Sequence, residues 1–248
     1  MCLIAFAWQV SGRPLVLLGN RDEFHPRPTR PATFWSEEGH PQLLAGKDLQ
    51  AGGTWLGVTQ AGRFAALTNI RAPQATPAPC SRGALVLDYL TGDLAPEDYL
   101  ANLGSDLHDY AGFNLLVGTP EQLWHLNSQE GAATALAPGI HGLSNASLNS
   151  PWPKLQKLCE GLEANLDVDN DALLALLKDH REYPDERLPD SGVSLEWERR
   201  LSAAFIVGED YGTRASTLLT IDAEGDITFI EQRFGPMGEE LGESGWRF

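Results

Sequence analysis

The sequence predicts an α+β fold in which mainly antiparallel sheets pack together and helices lie outside them. Three observations carry this. Apolar runs pair around Gly- and Pro-bearing turns at the start, helix-periodic segments fill the middle, and β-branched runs return near the end.

Residues 2–8 are apolar and suit a buried strand, and residues 15–18 suit a second, stopped by Gly19. Gly12 and Pro14 supply the turn between them. Residues 25–49 hold Pro26, Pro28, Pro31 and Pro41 and read as an irregular segment, packed over the core or functional. Residues 55–59 and 63–68 form a second hairpin about Gly62. A Pro-rich loop spans 71–79. Ser81 then caps a helix over 83–90, and a shorter helix covers 95–103.

Segments 112–118, 122–126 and the run up to 141–145 read as strands. Residues 151–166 read as a helix, and Asp169 or Asn170 caps another that runs to about His180. Residues 203–207, 216–221 and 227–230 read as strands, the last two joined through Gly225. No repeat or linker interrupts the chain, so residues 1–248 read as one domain.

Composition excludes several functions. The chain carries 18 Lys and Arg against 34 Asp and Glu, a formal charge of −16. That field repels phosphate backbones, and no basic run offsets it, so nucleic acid is not an expected partner. No stretch is long and apolar enough to span a membrane, and no secretory leader is visible. The three cysteines, Cys2, Cys80 and Cys159, have no paired or zinc-type spacing. They read as reduced thiols, which points to the cytoplasm. The six histidines are scattered without metal-binding spacing, so no metal is expected. Gly52 and Gly53 form a tight turn, not a phosphate loop, because no helix start follows. The expected partner is a small molecule; nothing in the sequence sets an oligomeric state.

The first hairpin places chemistry. Turning near Gly12, it brings Cys2 opposite residues 20–22. The thiolate is the reactive form of cysteine, and Arg21 supplies a cation that lowers a thiol pKa. Asp22 can orient an ammonium or a substrate amide. Removal of the initiator Met gives Cys2 a free α-amine, whose ordinary pKa of about 7.7–8.0 suits a general base. One residue is then nucleophile and base together. The plainer alternatives are a Cys2 that is only a small buried hydrophobe and a polar strand end at 20–23. Cys80 and Cys159 read as structural or incidental. Trp35, Trp55 and Trp152 read as core packing or pocket lining.

Six segments together resemble the NRDE family, named also for the Transport and Golgi organisation protein 2. They are Met1-Cys2, Asn20-Arg21-Asp22-Glu23, Gly52-Gly53-Thr54-Trp55-Leu56-Gly57, Thr68-Asn69, His141-Gly142-Leu143-Ser144-Asn145 and Tyr211-Gly212-Thr213-Arg214-Ala215-Ser216-Thr217. The matches run from residue 2 to about residue 233. That family is similar to N-terminal-nucleophile (Ntn) hydrolases of the penicillin V acylase and bile salt hydrolase type.

The resemblance implies a four-layer αββα sandwich with the nucleophile at the end of the first strand. It implies a hydrolase of small-molecule amides or thioesters, with Cys2 attacking and Arg21, Asp22, Asn69, Asn145 and Arg214 around it. Asn145 and the backbone of Asn69 would hold the oxyanion. Asn20, Glu23, Trp55 and Arg71 are the candidates for holding substrate. In one respect the chain departs from the acylases: Arg21 and Asp22 are adjacent, and Asn20 stands near the acylase arginine position. No cofactor is required for this chemistry. The resemblance also implies an alternative, a protein that binds or carries haem or another amphipathic ligand without turnover. A single axial residue suffices for haem and leaves no spacing pattern.

Overall fold

The structure, a computed structural model, describes residues 2–72, 78–104 and 106–248. The initiator Met and the centre of the expected Pro-rich loop, residues 73–77, lie outside the described residues.

The chain opens with the expected hairpin, β1 (Cys2–Val10) and β2 (Arg13–Phe24), turning through Ser11 and Gly12 at positive φ. Its register sets Cys2 opposite Arg21 and Ile4 opposite Gly19. Next come β3 (Thr29–Trp35), β4 (His40–Asp48), β5 (Leu56–Thr59) and β6 (Phe64–Asn69). Two helices follow, α1 (Arg82–Thr91) and α2 (Pro96–Asn102), then β7 (Phe113–Gly118), β8 (Leu123–Asn127), β9 (Ala133–Ala135) and β10 (Gly139–Leu143). After α3 (Pro153–Ala164), α4 (Asn170–Ala175) and α5 (Leu195–Arg200), the chain ends in β11 (Tyr211–Ile221), β12 (Ile227–Phe234) and β13 (Glu240–Arg247).

The strands form two antiparallel sheets, ordered β10-β1-β2-β11-β12-β13 and β3-β4-β5-β6-β7-β8-β9. Alternation along each strand divides the side chains between two faces. From the first sheet Ile4, Phe6, Trp8, Leu15, Leu17, Leu219 and Phe229 meet Leu44, Leu56, Val58, Phe64 and Leu116 of the second. On the outer face of the first sheet Leu3, Ala5, Val16 and Leu18 pack on α3 and α4 through Leu155, Leu158, Leu162, Leu173 and Leu174. On the outer face of the second, Ala45, Ala65, Leu115 and Val117 pack on α1 and α2 through Leu85, Val86, Tyr89 and Leu100. The architecture is thus an αββα sandwich of two antiparallel sheets, as expected. Among the described residues, no helix is long and apolar enough to cross a membrane.

Four local expectations are corrected. The Pro-rich stretch 25–49 is not irregular: it holds β3 and β4. β3 is an edge strand with register breaks between Arg30 and Thr33, which is where a sheet tolerates Pro31. Residues 203–206 are buried and apolar and Val207 is exposed, but the run forms no strand, because side chains take backbone groups of this segment. Asn20 Nδ2 donates to the Ala204 carbonyl and Lys154 Nζ to those of Leu201 and Ala203. The Ile206 N–H donates to Thr213 Oγ1. Ser81 sits at the N-cap of α1 without a side-chain cap bond, whereas Asp169 does cap α4. That helix ends at Ala175 and tightens into a 3₁₀ turn, Leu176–Lys178, short of His180. The sequence reading also missed α5 and β13.

Candidate active site

The same alternation splits the four polar residues at the end of β2. Asn20 and Asp22 face the helical layer; Arg21 and Glu23 face the space between the sheets. Asn20 Nδ2 donates to the carbonyls of Leu177 and Ala204 at 2.9 and 2.8 Å, and its Oδ1 accepts from Ser216 Oγ at 2.6 Å. Its side chain is fully engaged in tying the sheet to the segments that cover it. Asp22 Oδ1 accepts from Thr213 Oγ1 at 2.7 Å. Burial pushes its carboxyl up, and the buried ammonium of Lys154 opposes the rise.

Between the sheets Cys2, Arg21, Asp22, Glu23, Trp55 and Asn69 line a cavity of about 420 Å³. Cys2 is 9% exposed and Arg21 6%. Burial pushes the Cys2 thiol up; the Asp22 carboxylate adds to the rise, and the Arg21 guanidinium facing it opposes it. The resting site therefore holds a thiol, and attack requires a base.

The turn before β5 shapes the wall. Gly52 has φ +82°, its N–H donates to the Asp48 carbonyl at 2.8 Å, and the Asp48 N–H donates to Gly53 O at 2.9 Å. Gly53 lies so close to α1 that a Cβ would come within 2.3 Å of the Gly83 carbonyl carbon. Gly46 must be small for the same reason: a Cβ there would sit 2.5 Å from the Trp55 ring. The indole so placed receives the Arg21 guanidinium 4.3 Å from its centroid.

Asn69 closes β6 at the cavity wall. Asn145 does not line the cavity; its Nδ2 donates to the Asn69 carbonyl at 2.8 Å, and the Arg71 N–H donates to the Asn145 carbonyl. Asn145 thus positions Asn69. Behind them His125 Nε2 meets Asn114 Oδ1 at 3.1 Å, and Asn114 Nδ2 donates to Thr68 Oγ1 and the Ala146 carbonyl. Arg71 is away from the cavity. Its guanidinium lies over Trp152 and pairs at 2.6 Å with the buried Glu198. Arg214 also lies outside the cavity wall, donating to the carbonyls of Phe24 and Arg27 and to Thr29 Oγ1.

The structure adds residues that the sequence did not single out. Arg27 and Asp48 pair at 2.7 Å on the rim. Against the cost of burial, hydrogen bonds from Arg27 and from the Ala51 and Gln50 N–H groups hold the Asp48 carboxyl below the usual range. Arg82 and Cys80 also line the cavity, so Cys80 is not incidental in position. Lys154 is buried beneath Asp22, and burial lowers its pKa to about 8. No spacing signal marks these residues, since each reaches the site only through sheet pairing or helix docking. Among the described residues no group of three or more His, Cys, Asp or Glu is placed to hold a metal ion.

Comparison with known proteins adds the following. A family model for Transport and Golgi organisation 2 matches residues 1–236. The Transport and Golgi organization protein 2 homolog of Bos taurus is 36% identical, over 94% of this chain and 92% of that protein. The Homo sapiens homolog is 34% identical over the same shares. Among solved structures, penicillin V acylase from Agrobacterium tumefaciens aligns with a TM-score of 0.43 and 12% identity, over 92% of this chain and 82% of that one.

Proposed function

The chain belongs to the Transport and Golgi organisation 2 family, and from that premise we propose that it is a hydrolase of small-molecule amides or thioesters acting through Cys2. The observation that carries this is the placement of Cys2: it starts the first strand, on the wall of a polar cavity, directly opposite Arg21.

The chemistry follows from the groups present. Loss of the preceding residue gives Cys2 a free α-amine. The amine takes the thiol proton, and Sγ attacks the substrate carbonyl carbon. The carbonyl π electrons move to oxygen, where the Asn69 backbone, fixed by Asn145, stabilises them. Collapse expels the amine or thiol leaving group, which takes the proton from the α-ammonium, and leaves a thioester on Cys2. Water, deprotonated by the same amine, hydrolyses that thioester. Arg21 favours the thiolate throughout.

The test is a panel of amides and thioesters with the wild-type and Cys2→Ala proteins, read by product release and by the mass of an acylated Cys2 peptide. Acylation at Cys2 and loss of hydrolysis in Cys2→Ala are expected. Equal hydrolysis by both proteins overturns the proposal.

One observation favours a second reading, carriage of an amphipathic ligand such as haem without turnover. Burial keeps Cys2 protonated, which suits a wall better than a nucleophile. Among the described residues no histidine lines the cavity, and Cys2 and Cys80 are the ones that could meet haem iron there. Under this reading Cys2→Ala keeps most of its ligand affinity.

A further inference from the structure

Beside the Cys2 cavity lies a second one of about 160 Å³, and Arg21 and Trp55 line both. Sheet register explains what fills its walls. Cys2 pairs with Arg21, Arg21 with Ala215, and Ala215 with Arg233, so one row crosses β1, β2, β11 and β12. Residues directly opposite share a face. A register shift between Thr213 and Ala215 inserts Arg214 as an extra residue, turned to the same cavity. Three arginines therefore surround one alanine in a chain whose net charge is −16.

Their partners differ. Arg214 spends its donors on Phe24, Arg27 and Thr29, and Arg233 Nη1 donates to Ser244 Oγ at 2.7 Å. Arg30 borders the cavity, but its head group lies over Trp35 and pairs with Glu38. Glu231 is the one acid on the wall among the described residues, and its Oε1 accepts the Ala32 N–H. Arg21 stands apart. It is 94% buried, being 6% exposed, and its guanidinium rests on Trp55 without a hydrogen bond or ion pair to any described residue. Glu231 and Asp22 act on it only through space, and a buried cation without a directly bonded partner is costly; a bound anion removes that cost.

We propose that this arginine-lined cavity binds a carboxylate on the substrate's acyl chain, so that the substrate class is the monoamide or monothioester of a dicarboxylic acid. This rests on Cys2 being the nucleophile. A carboxylate matches the planar guanidinium fork with two parallel hydrogen bonds. Neighbouring strands are about 4.8 Å apart, so Ala215, two strands from Cys2, lies roughly 10 Å from the thiol. A methylene chain spanning that distance would pass Arg21 and Trp55, the residues that line both cavities.

The experiment uses the Cys2→Ala protein, which binds without turnover, and calorimetric titration with monoamides of the dicarboxylic acids from succinic to suberic. Uncharged amides of the same lengths serve as controls. Adipic to suberic monoamides bind at least about tenfold tighter than their uncharged counterparts, the worth of one charge-assisted hydrogen bond. Adding Arg233→Met removes that preference and leaves the uncharged amides unchanged; Arg233→Lys restores only part of it. Equal affinity for acidic and uncharged amides overturns the proposal, and so does tighter binding of inorganic phosphate than of any monoamide. The two readings fail separately. Wild-type turnover of uncharged amides at the rate of acidic ones removes the carboxylate subsite and keeps Cys2 as nucleophile. Acid-selective binding without wild-type turnover removes the Cys2 chemistry instead.

Discussion

The Arg21 guanidinium lies 4.3 Å from the centre of the Trp55 ring, and both residues line the Cys2 cavity and the arginine-lined one. A cation held on an indole away from bulk water is stabilised by about 2 kcal/mol. Trp55→Leu therefore lowers the free energy of urea unfolding by about that amount or more, and Trp55→Phe by less.

Cys2 responds to the charges around it in a defined order. Its thiol is raised above the ordinary range, so alkylation by iodoacetamide accelerates only on the alkaline side of an ordinary thiol. Asp22→Asn removes a charge that raises the thiol and speeds alkylation at neutral pH. Arg21→Met removes one that lowers it and slows the reaction. Peptide-resolved mass spectrometry separates Cys2 from Cys80.

Alternation along β2 predicts unequal outcomes for neighbouring residues. Asn20→Ala leaves the buried carbonyls of Leu177 and Ala204 without their donors, at a cost of about 3 kcal/mol in urea unfolding. Arg21→Met gives up the contact with Trp55 but also removes a buried charge, so it costs less in urea unfolding than Asn20→Ala.

Gly53→Ala forces a methyl into the Gly83 carbonyl and costs about 3 kcal/mol through overpacking. At Gly83 the nearest atom to a new Cβ is Thr54 O at 3.1 Å, a milder contact. Gly83→Ala is the smaller loss, and thermal melts of the two variants give the order.

His125 sets an acid limit. Burial lowers its pKa from 6.5 to about 4. The unfolded chain takes up the proton first, so stability falls as pH drops from about 6.5 towards 4, by roughly 3 kcal/mol in total. His125→Gln keeps a donor for Asn114 and flattens that slope. Urea midpoints across this pH range measure it.

Much of the architecture is legible in the chain because it rests on local signals. The turn at Gly12 fixes the first register closely enough to set Cys2 against Arg21, and periodicity marks the buried faces of α1 and α3. Residues 203–207 misread as a strand because their carbonyls are claimed by Asn20 and Lys154, side chains remote in sequence. β3 was hidden by prolines that only an edge strand with register breaks accepts. In the candidate site, Cys2, Arg21, Asp22, Glu23, Trp55 and Asn69 come together around one cavity. Asn145, Arg71 and Arg214 lie behind or beside it, since a motif shows that a residue is near the site but not which face of its strand it takes. The row Cys2, Arg21, Ala215 and Arg233 has no sequence signature, because it exists only through three strand pairings.

The central claim is that Cys2 acts as a nucleophile with its own α-amine as base. The most direct measurement is the intact mass of the natively expressed, untagged protein, followed by the mass of its N-terminal peptide. The account predicts a chain that begins at Cys2. A population that fully retains the preceding methionine has no free amine at that position, and contradicts it.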